Sequence, residues 1–261
     1  MVRKRKRRQI VRPDKNFLQN PLYTLQRYLR GKKPTDITIQ TPNGTYTLAT
    51  GYKQYPDRWD MGLFYYIQAK LEEMDLKTIE IRTTLYNVCM DLFDSHSKAN
   101  YERIMEGFKR LGGVLALFEG IFYDGDDYTE RIYGMLAGVK RDKKTKELVI
   151  WADPQYIEWL RHSKYRGIID WRKFLSFKKD MAARLYEIFA CQPLPWSIEA
   201  RKFAQKLTLG TQEPARILRA VQKGMDEFNK ALDNPVKFTH YRNRAGELIF
   251  KFDSGLSLPG D

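Results

Sequence analysis

One order of predicted elements, helix, short strand, helix, helix and hairpin, occurs twice in the sequence and limits the folds open to the chain. The C-terminal copy begins with a helix over 177–189, because Met181, Leu185 and Ile188 recur on one apolar face at helical spacing. Its later members are a strand at 196–198, helices over 199–207 and 214–232, and a hairpin over 236–252 with a basic tip.

The upstream copy repeats this order without repeating its letters. Its members are a helix over 59–71 capped by Asp57, a strand at 79–81, a helix over 85–93 capped by Thr83 or Thr84, a helix over 97–111, and a hairpin made of 114–123 and 128–139. Another hairpin, over 35–49, precedes them. Two helices between a strand and a hairpin, found twice, predict an α+β fold of tandem winged helix-turn-helix domains with small antiparallel hairpins.

The same pattern predicts the domain boundaries. The divisions are a basic disordered arm at 1–16, an N-terminal winged-helix domain with its leading hairpin at 17–162, a C-terminal winged-helix domain at 163–253, and a tail at 254–261. The arm carries six cations in succession, which repel one another and cannot form a core. They are Arg3, Lys4, Arg5, Lys6, Arg7 and Arg8.

Charge indicates the kind of partner. The formal net charge of +14 predicts a polyanion as ligand, and the plain alternative is that the charge serves solubility. Cys89 and Cys191 lie among apolar residues in predicted helices, as small hydrophobic residues do in a reducing compartment. No apolar run is long enough for a membrane span and no signal peptide is visible, so we expect a cytoplasmic protein without a membrane partner.

Several polar side chains are predicted to contact double-stranded DNA, because in a helix-turn-helix the second helix enters the major groove. Besides the six cations of the arm they form three groups. These are Lys98, Asn100, Arg103 and Lys109 on the helix over 97–111, Gln212, Arg216, Arg219, Gln222 and Lys223 at and on the helix from Pro214, and Arg242, Asn243 and Arg244 at the hairpin tip.

Residues for catalysis are scarce. His96, His162 and His240 each stand alone, the cysteines lack zinc spacing, and no phosphate-binding loop of the Walker type occurs. We therefore expect no catalytic residue, no metal and no cofactor. The exception is the acidic run Asp124–Asp127, which could bind Mg²⁺ in a nuclease or primase, although aspartate and glycine are equally typical of a hairpin turn.

Three short segments carry a resemblance to a known family. Arg184-Leu185-Tyr186-Glu187 resembles a run that plasmid replication initiators of the replication initiator protein A type carry in the first helix of their second winged helix. Residues 101–104 before 108–111 are similar to the first recognition helix of these initiators, and 59–71 to their first core helix. The resemblance covers about residues 55 to 252.

The resemblance implies an origin-binding initiator without catalytic activity, located with the nucleoid or a plasmid. Its implied partners are repeated sites in double-stranded origin DNA, host replication proteins such as a helicase loader, and a second copy in a homodimer, since dimers of such initiators often repress while monomers initiate. Two alternatives remain open at this point: a winged-helix transcriptional regulator, and a metal-dependent nuclease or primase using the Asp124–Asp127 cluster.

Overall fold

The computed structural model describes residues 10–23, 25, 36–41, 43–232 and 235–254. The predicted cations Arg3 to Arg8 and residues 255–261 of the predicted tail lie outside the described residues. No described helix is long and apolar enough to cross a membrane.

Among the described residues up to 152, the chain forms a short strand and helix, a hairpin, three longer helices with a single strand between the first two, and two further hairpins. Their bounds are β1 (Ile10–Val11), α1 (Lys15–Gln19), β2 (Ile37–Thr41), β3 (Gly44–Thr50), α2 (Arg58–Glu73), β4 (Glu80–Thr84), α3 (Leu85–Phe93), α4 (Lys98–Gly112), β5 (Val114–Tyr123), β6 (Tyr128–Gly134), β7 (Leu136–Arg141) and β8 (Glu147–Ala152). Local chemistry sets the helix starts: Asp57 and Asp60 form a capping box at α2, and the Ser97 hydroxyl accepts from the Asn100 N–H at α4.

The second half begins with two short helices and continues with the C-terminal unit. Its elements are α5 (Pro154–His162), β9 (Ile169–Asp170), α6 (Trp171–Ser176), α7 (Asp180–Phe189), β10 (Trp196–Glu199), α8 (Ala200–Lys206), α9 (Pro214–Lys230), β11 (Lys237–Arg242) and β12 (Leu248–Asp253). The boundary after residue 162 falls at the last residue of α5 and stays a prediction.

The C-terminal unit has the predicted order. Its three antiparallel strands lie in the order β10, β12, β11, with Ile198 opposite Phe250. Both α7 and α8 contact α9. Burial follows the helical period, because the inward side chains of α9 are Ile217, Val221, Met225 and Phe228. Leu185, on α7, is fully buried as expected.

The N-terminal unit has a three-stranded sheet arranged like that of the C-terminal unit, but the hairpin in this sheet is not the predicted one. Its three strands lie in the order β4, β8, β7, with Thr84 opposite Glu147. The hairpin predicted from 114–123 and 128–139 instead pairs with the leading hairpin in a separate four-stranded sheet, β2, β3, β5, β6, where Leu48 lies opposite Ala116. That assignment was wrong because alternation shows which residues share a face and does not show which strand is the neighbour.

Residues 10–16, which the sequence assigns to the disordered arm, are folded in the structure. Ile10 pairs with Asp170 in the two-stranded sheet of β1 and β9. Asp14 is buried and accepts a hydrogen bond from Trp159 Nε1 at 2.8 Å. The arm was therefore predicted too long, because backbone pairing and a buried carboxylate hold this segment against α5 and β9.

The Arg184-Leu185-Tyr186-Glu187 run forms a buried network between the two units. Arg184 Nη1 lies 2.9 Å from Glu187 Oε2, and both side chains are about 1% exposed. The Tyr65 hydroxyl, from α2, donates to Glu187 Oε1, and Arg184 also donates to the carbonyls of Leu18 and Gln19 at the end of α1. The run therefore joins α7 to α2 and to the N-terminal segment.

Candidate DNA-binding surface

The exposed face of α9 is the most suitable surface for DNA contacts in the described chain. Arg219, Gln222 and Lys223 are exposed on the side opposite the buried face. Within the described part of the chain, no carboxylate lies within ion-pair distance of Arg219 or Lys223. Arg216, one turn earlier, pairs with Glu213 at 2.7 Å, and both groups are exposed. Because no carboxylate pairs with them, Arg219 and Lys223 are more available to an anion than Arg216 is.

The hairpin β11–β12 lies beside the start of α9. A groove of about 320 Å³ separates them, lined by Glu199, Arg201, Pro214, Arg242 and Gly246 among others. The start of α9 and the hairpin tip of this unit therefore border the same groove. Gln212 is exposed in the turn that precedes α9.

The exposed face of α4 has a different charge arrangement. Arg103 lies over the Trp59 ring, 4.8 Å from its centroid, with Asp57 at 3.8 Å. Lys98 lies 3.9 Å from Glu102, and Lys109 pairs with Glu106. The predicted cations of this helix are all present at its surface, but each has a carboxylate beside it.

Arg110, also on α4, is a structural residue. Its guanidinium donates to both carboxylate oxygens of Asp60, at 2.6 and 2.9 Å, and only 13% of the Arg110 side chain is exposed. Burial raises the pKa of Asp60, and the two hydrogen bonds from Arg110 oppose that shift. The pair fixes α4 on α2 and is not available to a ligand.

Two predicted DNA contacts, Asn100 and Asn243, are occupied by local hydrogen bonds. The Asn100 amide donates to the carbonyl and hydroxyl of Ser95 at 3.4 and 3.3 Å, and so closes the turn before α4. Asn243 Oδ1 accepts from the N–H groups of Ala245 and Glu247, while its amide nitrogen donates to Glu247. Both side chains stabilise turns. Arg242 and Arg244 are exposed at the same tip as Asn243.

The acidic run at 124–127 forms the turn between β5 and β6. Asp124 Oδ1 accepts from the backbone N–H groups of Asp126 and Asp127, at 3.1 and 3.0 Å. These donors lower the pKa of Asp124. Among the described residues, no group of three or more His, Cys, Asp or Glu side chains has the geometry of a metal site. The arrangement fits the turn explanation of this run.

One basic element was missed in the sequence. The tip of the hairpin β7–β8 carries Lys143, Lys144 and Lys146, all exposed. The cationic run is visible in the sequence, but the alternating pattern of the preceding segments predicts β5–β6 as the hairpin of this unit. The pairing of β4 with β8 was the missing information.

The fold occurs in solved structures at low sequence identity. A crystal structure of selenomethionine derivatives of domains 2 and 3 of RctB has a TM-score of 0.56 and 12% identity, covering 91% of this chain and 95% of that chain. A second crystal structure, of RctB domains 2–3, has a TM-score of 0.51 and 10% identity, covering 89% of this chain and 94% of that chain. A crystal structure of the Pi initiator protein in complex with iteron DNA has a TM-score of 0.48 and 12% identity, covering 81% of this chain and 98% of that chain.

Searches of family models and of curated proteins returned no match. The likeness to RctB nevertheless extends over about nine-tenths of both chains. Together with the two matching three-stranded sheets, it confirms the predicted α+β fold of tandem winged helices.

Proposed function

We propose that the protein is a plasmid-type replication initiator that binds repeated sites in double-stranded origin DNA. The observation that carries the proposal is the face of α9, where Arg219, Gln222 and Lys223 are exposed next to a basic hairpin tip. The initiator class is supported by the Arg-Leu-Tyr-Glu run, which lies where the resemblance requires it, in the first helix of the second winged helix.

In this proposal α9 enters the major groove and its first turns contact base edges. Arg219 is suited to guanine, because a planar guanidinium can donate to N7 and O6 at once. Lys223 lies one turn further along and offers a point charge, which satisfies a phosphate without selecting a base. Gln222 can donate and accept, as contact with adenine requires.

Arg219→Ala tests the role of α9. We expect a loss of about 1–3 kcal/mol on the specific site and relaxed selectivity at one base pair. Arg219→Lys is the matched control, because it keeps the charge and removes the planar fork. It should lose the same base selectivity as Arg219→Ala, but its affinity for unrelated DNA should fall by less. The measurement is a binding titration at fixed salt against the site, its single-base variants and unrelated duplexes. Equal weakening on every duplex would show that Arg219 contacts phosphate and that α9 does not select this base.

The biological role is tested separately, by footprinting the DNA that flanks the coding region. An initiator should protect an array of spaced repeats, whereas a transcriptional regulator of the same fold should protect a single palindrome. We further propose that the protein acts in the cytoplasm on plasmid or nucleoid DNA, recruits host replication proteins such as a helicase loader, and represses as a homodimer. Origin-dependent replication of a plasmid that carries the gene and its flanking repeats is the measurement that checks initiation.

A further inference from the structure

An arginine from another element closes the first helix of each helix-turn-helix. The last four carbonyls of an α-helix have no partner within the helix itself. Arg172 Nη2 donates to one of those of α3, the carbonyl of Asp91, at 3.0 Å. In the C-terminal unit Arg184 Nε donates to the carbonyl of Lys206, the last residue of α8, at 3.2 Å. Each arginine therefore holds the helix end from which the chain turns into α4 or α9.

The two arginines come from different places. Arg184 lies on α7, in the same unit as α8, whereas Arg172 lies on α6, beyond the boundary predicted after residue 162. Arg172 also lies 3.5 Å from Asp94, in the turn that follows α3. Because the side chains of Arg172 and Asp94 are 35% and 78% exposed, water screens this ion pair, and the bond to the carbonyl of Asp91 is the principal contact.

The start of α6 is fixed to the C-terminal unit. The hydroxyl of Tyr186, on α7, accepts from the N–H of Asp170 at 3.0 Å. The Asp170 carboxylate caps α6, because it accepts from the N–H groups of Arg172 and Lys173 at 3.0 and 3.1 Å. The backbone of Arg172 is therefore held from α7, while its side chain holds the end of α3.

The end of α6 is in contact with α9. Phe177, which follows α6, is buried, and its ring stacks on that of Phe228, on α9, with centroids 6.2 Å apart and 28° between the ring planes. Because α6 has six residues, about 9 Å separates its two ends. A short helix thus connects the buried face of α9 to the end of α3, which precedes α4.

We propose that Arg172 is a positioning residue: through α6 it fixes the orientation of α4 relative to α9, and so sets the spacing between the two segments of a DNA site. The inference rests on the proposed function, because it requires both units to contact one duplex. One base pair added between the segments displaces the second by about 34° around the duplex and about 3.4 Å along it. Units that are held by α6 cannot follow this displacement without losing contacts, so the natural protein should discriminate against it.

The test is Arg172→Met in the full chain, with Arg161→Met as the matched control. The Arg161 side chain is also 35% exposed, and its Nε also donates to a backbone carbonyl, that of Leu76, at 2.7 Å. Leu76 lies between α2 and β4, outside both helix-turn-helix motifs. Tyr186→Phe is a second variant, which removes the acceptor for the N–H of Asp170 and keeps the aromatic ring.

The first measurement is amide hydrogen exchange of the free protein. Exchange at residues 94–100, in the turn and the first residues of α4, should be on the order of tenfold faster in Arg172→Met, because one hydrogen bond from a charged donor is lost. Arg161→Met should leave these amides unchanged and speed exchange near residue 76. Equal rates at residues 94–100 in Arg172→Met and in the natural protein would overturn the inference.

The second measurement is binding to a duplex selected from random DNA, and to versions with one base pair inserted or removed between the two footprinted segments. The preference for the selected spacing should fall by about 2- to 30-fold in Arg172→Met, the range for residues that couple two sites, and by a smaller factor in Tyr186→Phe. Arg161→Met should keep the preference of the natural protein. An undiminished preference in Arg172→Met, or an equal fall in the control, would overturn the inference.

Failure of the inference and failure of the proposed function give different results. A bound duplex whose spacing preference survives Arg172→Met would refute only the inference. Selection that returns no duplex would refute the proposed function and the spacing role with it, but faster exchange at residues 94–100 would still show that Arg172 holds the turn before α4.

Discussion

Replacing Glu187 by Gln should cost far more stability than the same change at an exposed glutamate. Glu187 and Arg184 are about 1% exposed and 2.9 Å apart, three residues apart on α7. Lys70 and Glu73 are also three residues apart on a helix, at the same 2.9 Å, but their side chains are 22% and 34% exposed. The two pairs share spacing and distance and differ chiefly in burial.

The magnitudes follow from that difference. Glu187→Gln leaves the Arg184 charge buried without its counter-ion, and breaking a buried pair costs about 3–5 kcal/mol. Arg184→Met should cost at least as much, because three backbone carbonyls that accept from its guanidinium, those of Leu18, Gln19 and Lys206, are left without it. Glu73→Gln should cost less than about 1 kcal/mol, because water screens that pair.

The assay is urea unfolding followed by circular dichroism at pH 7, applied to the single variants and to Arg184→Met combined with Glu187→Gln. Removing the second partner should cost little once the first is gone, so the double variant should fall short of the sum by about 2 kcal/mol or more. A loss below about 1 kcal/mol for Glu187→Gln, or simple additivity, would refute the argument that a buried ion pair joins α7 to α2.

Two further predictions concern charge. Burial, with a further contribution from Arg184, lowers the pKa of Lys206 to about 8, so its ammonium destabilises the fold below pH 8, and this cost disappears as the pH rises toward the ordinary pKa of 10.5. Lys206→Met should therefore stabilise the fold by about 1–3 kcal/mol at pH 7 and by less at pH 10. An equal gain in thermal stability at both pH values would contradict this prediction. Deleting residues 1–9, which ends before β1, should weaken binding to all duplexes alike and make the salt slope shallower by roughly 3.6 if the arm neutralises about four phosphates, whereas an unchanged slope would leave a solvated tail.

The helices were predictable because their determinants are local. The helix predicted over 97–111 is observed as Lys98–Gly112, with Ser97 as its N-cap. Periodicity also placed Arg219 and Lys223 on the exposed face of α9. These features depend on residues within a few positions of each other, so the sequence alone contains enough information to predict them.

Pairing between distant segments was not predictable in the same way. Nothing local to Thr84 indicates that it lies opposite Glu147, and two-residue β1 has no pattern that could predict its pairing with β9. The Arg184 network is of the same kind: the apolar spacing of α7 predicts a core helix, but the carbonyl of Leu18, 166 residues away, has no signature in sequence. Register and long-range polar contacts depend on the assembled core, which periodicity does not describe.

The two units share one fold and differ in how charge is distributed over it. Cations on α4 have carboxylates beside them, as Arg103 has Asp57, whereas Arg219 on α9 has none among the described residues. Since a cation that already has a carboxylate partner must lose it to contact an anion, an anion would bind beside Arg103 at a greater cost than beside Arg219. The buried contacts of α2 with α7, through Tyr65 and Glu187 and through Arg58 and Asp180 at 3.0 Å, hold the two units against each other, so under the proposed function DNA bound by one unit would constrain where the other can contact it.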